Sequence, residues 1–365
     1  MKFNPVLDNL VSYEAGKPIE LVVRDFGIDP KDVVKLASNE NPYGCSPKVQ
    51  QAVGDIVSKM ALYPDDSMYK LKAGLSKRFN VDEKEIIIGA GSDQVIEFAI
   101  HAKANAQSKI LINSITFAMY EIYAHHIGAE VIRTKSREHD MDEFYELYLE
   151  HKPSIIFLCV PNNPTGESVD AKAVKEFIAK IDKETLVIVD GAYMEYTHYK
   201  DPSKALMPDE LVASFENVLY LGTFSKAYGL GGMRVGYGIA SRDIIMALYK
   251  LRPPFNVTTL SLEAASVALE DEAFVEFSIA KNFEEMGRYD AFAKKMGIQT
   301  IDSYTNFVTL CLNDDQDSTE LADVLLRQGM IVRNLKGYGL NAIRVTIGTP
   351  AQNDRFFELT EPLLS

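Results

Sequence analysis

Short apolar runs alternate with longer stretches of helical period through the first two-thirds of the chain. Runs at 85–89, 109–113, 130–134, 154–160, 185–190, 217–222 and 235–240 are rich in Val, Ile and Leu and bounded by turn residues, so they predict strands. Helical patterning covers 47–60, 68–79, 92–103, 117–126, 141–150 and 171–181. Strands alternating with helices predict an α/β fold, a mostly parallel central sheet flanked by helices. After Pro253 and Pro254 the pattern changes. A long helical region at 259–295 precedes a strand at 307–312, a helix at 318–328, strands at 330–332 and 342–347, and a helix at 351–364. This predicts a smaller α/β domain. The expected division is a large domain over 30–258, with 1–29 (an amphipathic arm around 18–26) and 259–365 forming the small one.

In a parallel sheet, ligands bind beyond the carboxyl ends of the strands, so the residues that follow each run form one set. The first run leads into G-A-G-S-D-Q, 89–94, a glycine turn entering a helix with Ser92 as the expected N-cap; free amides and the helix dipole make it an anion cradle. Phe117 follows the second run and offers a ring for stacking. The fourth ends in P-N-N-P-T-G, 161–166, displaying Asn162 and Asn163. The fifth ends on Asp190, a carboxylate costly to bury without a cation, with Tyr193 three residues on. The sixth delivers T-F-S-K, in which Lys226 follows an apolar run and precedes a glycine-rich segment ending at Arg234. Burial lowers a lysine's pKa and makes its amine nucleophilic. A phosphate cradle, an aromatic plate, an amide, an acid, a phenol, a lysine and an arginine are what pyridoxal 5'-phosphate requires. The lysine bonds its aldehyde, the acid keeps the ring nitrogen protonated, and the phenol and amide bond the ring oxygen.

Composition narrows the alternatives. The 365 residues are 47% hydrophobic and 25% charged, as in soluble globular proteins, and the net charge of −14 argues against a nucleic-acid partner. Cys45, Cys159 and Cys311 are too few and too scattered for a disulfide framework or a zinc pattern, which fits a cytoplasmic protein. No H-E-x-x-H spacing joins the six histidines, so no metal is expected. No apolar run has the length of a signal peptide core or a membrane span.

Nearly the whole chain resembles a fold-type I pyridoxal-phosphate enzyme of the aspartate aminotransferase superfamily, and most of all the histidinol-phosphate aminotransferases. The resemblance lies in Y-E-A-G-K-P-I-E at 13–20, L-A-S-N-E-N-P-Y-G at 36–44, Y-P-D at 63–65, G-S-D-Q at 91–94, P-N-N-P-T-G, D-G-A-Y at 190–193, T-F-S-K-A-Y-G-L-G-G-M-R-V-G-Y at 223–237, V-R-N at 332–334 and I-R-V-T-I-G at 343–348. It implies that Lys226 attaches the cofactor and shuttles a proton, that Asp190 pairs with the pyridine nitrogen, and that Asn163 and Tyr193 bond the ring oxygen. Ser92, Asp93, Ser225 and Arg234 would surround the phosphate. Tyr63 would join them from the partner subunit of a homodimer, and Phe117 would stack on the ring. Arg344 would grip the carboxylate of the amino donor, while Arg333 and Tyr13 would lie near the substrate phosphate. The implied reaction exchanges an amino group between histidinol phosphate and 2-oxoglutarate, leaving imidazole acetol phosphate and glutamate. The same cofactor residues would serve an aromatic amino-acid aminotransferase or a phospho-amino-acid decarboxylase. Gly191 and Gln94 depart from the family's usual glutamates, and Cys45 from its usual proline or alanine.

Overall fold

A computed structural model describes Met1, Val6, Leu7, Leu10 and residues 19–365. Its main sheet has seven strands in the order Ile86–Gly89, Gly236–Ala240, Val218–Thr223, Leu186–Asp190, Ile155–Cys159, Lys109–Ile112 and Glu130–Arg133. Each lies within one residue, at either end, of the run read from the sequence. Only Gly236–Ala240 runs against its neighbours. Because it is reversed, its entry end at Gly236 lies on the same sheet edge as the carboxyl ends of the others.

The inner strands are buried and mainly apolar because both faces of the sheet are covered, whereas the edge strand Glu130–Arg133 carries exposed charged ends. Side chains alternate between two cores. Ile86, Ile88, Ile156, Leu158, Val187, Val189, Val218 and Tyr220 pack on one side. Ile87, Ile155, Phe157, Ile188, Leu219 and Leu221 pack on the other. A residue completing a strand is therefore held by a fully packed sheet, and its side-chain direction is set by the pleat.

A second sheet, antiparallel, has the order Arg333–Asn334, Ala342–Thr346, Phe307–Cys311, Gln299–Thr300. The strand Val34–Lys35 pairs in parallel with Met330–Ile331, and Leu36 continues the contact, its N–H donating to Ile331 O at 2.8 Å and its carbonyl accepting from Thr346 N at 2.8 Å. The 25-residue helix Glu272–Met296, about 37 Å long, joins the two packing regions. Its Val275 and Ile279 enter the core of the main sheet, while Met286, Tyr289 and Phe292 enter that of the second.

The continuous helical region expected over 259–295 is two helices, Thr259–Glu270 and Glu272–Met296. They part at buried Asp271, whose carboxylate accepts from Ser46 Oγ and, at 2.7 Å, from Lys48 Nζ. Short helices at Met194–Lys200, Pro208–Ser214 and Arg242–Tyr249 lie outside the stretches read as helical from the sequence.

The turn after Lys226 closes through Gly229 N to Lys226 O at 3.0 Å, and the 41–45 turn packs on it, Asn41 Nδ2 donating to Ala227 O at 3.1 Å. Gly229 has φ +69°, and a Cβ there would lie 1.9 Å from Gly44 O, whereas Gly232 faces open space. Gly229→Ala is expected to destabilise the protein by about 2 kcal/mol or more, and Gly232→Ala by less than about 0.5 kcal/mol, in urea unfolding of the two variants.

Candidate active site

One cavity of about 140 Å³ opens at the carboxyl edge of the main sheet, lined by Gly91, Ser92, Asp93, Phe117, Cys159, Asn163, Asp190, Ala192, Tyr193, Thr223, Ser225, Lys226 and Arg234. Nine of the ten predicted cofactor residues line it: Ser92, Asp93, Phe117, Asn163, Asp190, Tyr193, Ser225, Lys226 and Arg234.

Lys226 follows the buried strand Val218–Thr223, and its Nζ donates to Ser38 O at 3.4 Å and stands 5.7 Å from the centroid of the Tyr193 ring. Burial, reinforced by the positive charges of Arg344 and Arg234, brings its amine down to about 8, while Glu40 and Asp190 oppose the shift. Asp190 ends the adjacent strand. Its carboxylate meets no cation within ion-pairing distance among the described residues. It accepts from Tyr120 Oη at 2.6 Å and from Ala192 N at 3.1 Å. Those bonds favour the charged form, yet burial outweighs them and raises the carboxyl above the ordinary aspartate value.

The Tyr193 phenol is buried, accepts from Asn39 Nδ2 at 2.8 Å and stands edge-on to Phe307, centroids 5.5 Å apart. Burial raises its pKa against the opposing pull of Arg344 and Asn39. Arg344 is buried on the strand Ala342–Thr346 and reaches across to the cavity wall, bonding Asn163 Oδ1, with Ala37 O at 2.7 Å on its other nitrogen.

The other end of the cavity is built for an anion. The helix Ser92–Lys103 starts after Gly91, and no side chain caps it. Ser92, expected to be the N-cap, is the first helical residue instead, so its amide is one of the free donors. Backbone closeness is obligatory here: a Cβ at Gly236 would lie 2.0 Å from Ser92 N, and one at Gly91, with φ +82°, 2.8 Å from an Arg234 guanidinium nitrogen. Asp93 accepts from Tyr123 Oη at 2.9 Å, its other oxygen is buried with no hydrogen-bond partner among the described residues, and burial raises its pKa despite the nearby Arg234.

Other predicted residues lie elsewhere. Tyr63 is 83% exposed and stacks on Phe255, centroids 4.8 Å apart, away from the cavity. Arg333 sits across the strands from Arg344 but does not line the cavity. Tyr13 lies outside the described residues. Phe117 lines the cavity just before the helix Met119–His126 rather than within it.

Sequence reasoning missed Tyr120, Tyr123, Ser38 and Asn39. Tyr120 was legible, one helical turn from Phe117 on the segment following the same strand end; the other contacts depend on tertiary approach. The structure also accounts for one departure, Gly191. A side chain at Gly191 would collide with Tyr220 Oη at 2.5 Å. Gln94 Oε1 accepts from Ala90 N at 2.8 Å and Asn256 Nδ2 at 2.7 Å, acceptor roles that an amide or a carboxylate would fill alike.

A family model described as aminotransferase class I and II matches residues 31–359. The chain belongs to that family. This aminotransferase is 66% identical to the histidinol-phosphate aminotransferase of Sulfurimonas denitrificans, over 98% of its own length and 99% of the relative's. It is 58% identical to that of Aliarcobacter butzleri, over 100% and 99%. Among solved structures, the histidinol-phosphate aminotransferase of Sinorhizobium meliloti in complex with pyridoxal-5'-phosphate matches with a TM-score of 0.89 at 22% identity, covering 99% of this chain and 98% of the other, which establishes the fold.

The lowered Lys226 pKa has a direct readout. Reductive methylation of the cofactor-free protein, followed by peptide mass spectrometry over a pH series, is expected to show Lys226 reacting with a midpoint near pH 8. Surface lysines should rise about two units higher.

Proposed function

We propose that this aminotransferase is pyridoxal-phosphate-dependent and exchanges an amino group between histidinol phosphate and 2-oxoglutarate in histidine biosynthesis, in the cytoplasm. The observation that carries the reading is that Lys226 and Asp190, from neighbouring strand ends, share one cavity with an uncapped helix N-terminus. The chain's identity to named histidinol-phosphate aminotransferases supports the choice of substrate. The residues present fit the cofactor: a depressed amine suits its aldehyde, a buried carboxyl its ring nitrogen, and the glycine-lined cradle at Gly91 and Gly236 its phosphate.

When bound, pyridoxal phosphate supplies an aldehyde for covalent attachment and a protonated ring that accepts electrons from the substrate carbon. Lys226 would hold it and, through Nζ, carry a proton to and from that carbon. Asp190, oriented by Tyr120, would hold the proton on the ring nitrogen. Asn163 and Tyr193 would bond the ring oxygen, and Phe117 would pack on the ring face. Ser92, Asp93, Ser225 and Arg234 would hold the phosphate by amides, hydroxyl and guanidinium. Arg344 would bind the donor's carboxylate, its fork already fixed by Asn163 and Ala37. Arg333 and Tyr13 would meet the phosphate of histidinol phosphate.

The working form would be a homodimer, with Tyr63 reaching the phosphate of the partner subunit's site. The support is an exposed apolar surface around Tyr63, including Met60, Leu62 and Phe255, of the kind that association covers.

The purified protein incubated with pyridoxal phosphate should absorb in the visible, and Lys226→Ala should fold yet lose covalent attachment and transamination. With 2-oxoglutarate as acceptor, histidinol phosphate should be preferred to phenylalanine as donor; an overwhelming preference for phenylalanine would overturn the substrate, and carbon dioxide release in place of amine transfer would overturn the reaction. Arg344→Lys should retain the visible band while raising KM for glutamate by about tenfold or more, since one ammonium cannot replace a fork of donors.

A further inference from the structure

The tripeptide Ala37–Ser38–Asn39 touches three residues of the proposed site at once. Ala37 O accepts from Arg344, Ser38 O from Lys226 Nζ, and Asn39 Nδ2 donates to Tyr193 Oη. Asn39 is the most constrained of the three. It is 1% exposed and holds φ at +56°, a left-handed conformation that a non-glycine residue adopts at a cost. All of its polar groups are used. Its N–H donates to Thr346 Oγ1 at 2.9 Å, its Oδ1 accepts from the same hydroxyl at 3.2 Å, its carbonyl accepts from Asn306 Nδ2 at 2.9 Å, and its Nδ2 meets Tyr193.

This pattern fixes a direction. Thr346 Oγ1 accepts from the Asn39 backbone N–H and donates its own O–H to Oδ1, so the amide turns its NH2 toward Tyr193. The phenol oxygen thus receives a hydrogen bond, and the phenol's own proton is left to be donated elsewhere. We propose that Asn39 is a positioning residue that makes Tyr193 a donor into the cavity and ties that role to the strand Ala342–Thr346. This rests on the reading of Tyr193 as the phenol that bonds the cofactor's ring oxygen. The contact with Thr346, two residues from Arg344, means that one strand sets both the grip on the donor's carboxylate and the polarity of the phenol.

The charged and titratable groups around Tyr193 are Arg344, Cys159, Asp190 and Lys226. Substitutions at Asn39 leave all four in place. In the pyridoxal-phosphate-loaded protein, the visible absorbance is titrated with pH for wild type, Asn39→Asp, Asn39→Gly and Thr346→Val, alongside thermal melts. The ionised carboxylate of Asn39→Asp only accepts, so it draws the phenol's proton away from the ring oxygen and adds negative charge. Both effects favour the protonated cofactor, and the midpoint should rise by about one unit, a tenfold change in proton affinity. Asn39→Gly keeps the left-handed backbone without strain and deletes the amide; its midpoint should rise less. Thr346→Val removes the hydroxyl that orients the amide and should shift the midpoint in the same direction, carrying the test if the Asn39 variants fail to fold. Variants that melt earlier but titrate with the wild-type midpoint would show a purely structural asparagine and overturn the proposal alone. A wild-type protein with no visible band would overturn the cofactor reading and this proposal with it.

Discussion

An amine and a carboxyl held at the ends of two adjacent, wholly buried strands are the constraint on which the rest of this structure turns. Neither group would choose such a place. Burial pushes the lysine toward its neutral form and the aspartate toward its protonated form, and each is kept there by specific contacts. Asp190 is hydrogen-bonded by a phenol and an amide, and among the described residues no cation ion-pairs with it. Lys226 is flanked by two arginines whose positive charge depresses it further. A group with an electrophilic carbon and a ring nitrogen answers both needs together, which is why the two side chains make more sense as a pair than separately.

Holding them requires rigid surroundings. The packed cores on both faces of the sheet fix where each strand ends, and the reversed strand Gly236–Ala240 brings Gly236 against the first residue of the helix Ser92–Lys103. From the other side, the second sheet closes over the cavity through Arg344 and through the segment that follows Val34–Lys35. The site is thus assembled from two packing units bridged by one long helix.

The main sheet was legible in the sequence because buried parallel strands read as short continuous apolar runs, and those runs fell within a residue of the observed strands. The residues after them were legible for the same reason: a strand end at the ligand edge can be counted along the chain. Legibility stopped where contacts come from distant parts of the chain. Asn39 lies inside a quoted motif, but its bond to Tyr193 spans 154 residues and no local spacing announces it. Tyr63 could be named only through resemblance, since within one chain it points to Phe255 and not to the cavity. The break at Asp271 was hidden because both flanking helices share good helical composition, and only the bonds to Ser46 and Lys48 reveal why they part.

The clasp between Ala37–Asn39 and the strand Ala342–Thr346 joins positions 307 residues apart. Synthesis proceeds from the N-terminus at roughly 5–20 residues per second, so the first half of this clasp waits tens of seconds for the second. In roughly the last third of that wait the main sheet has every one of its strands, while the guanidinium at Arg344 and the hydroxyl at Thr346 do not yet exist. A growing polypeptide therefore carries Lys226 and Asp190 well before it owns the strand that clasps the segment beside them.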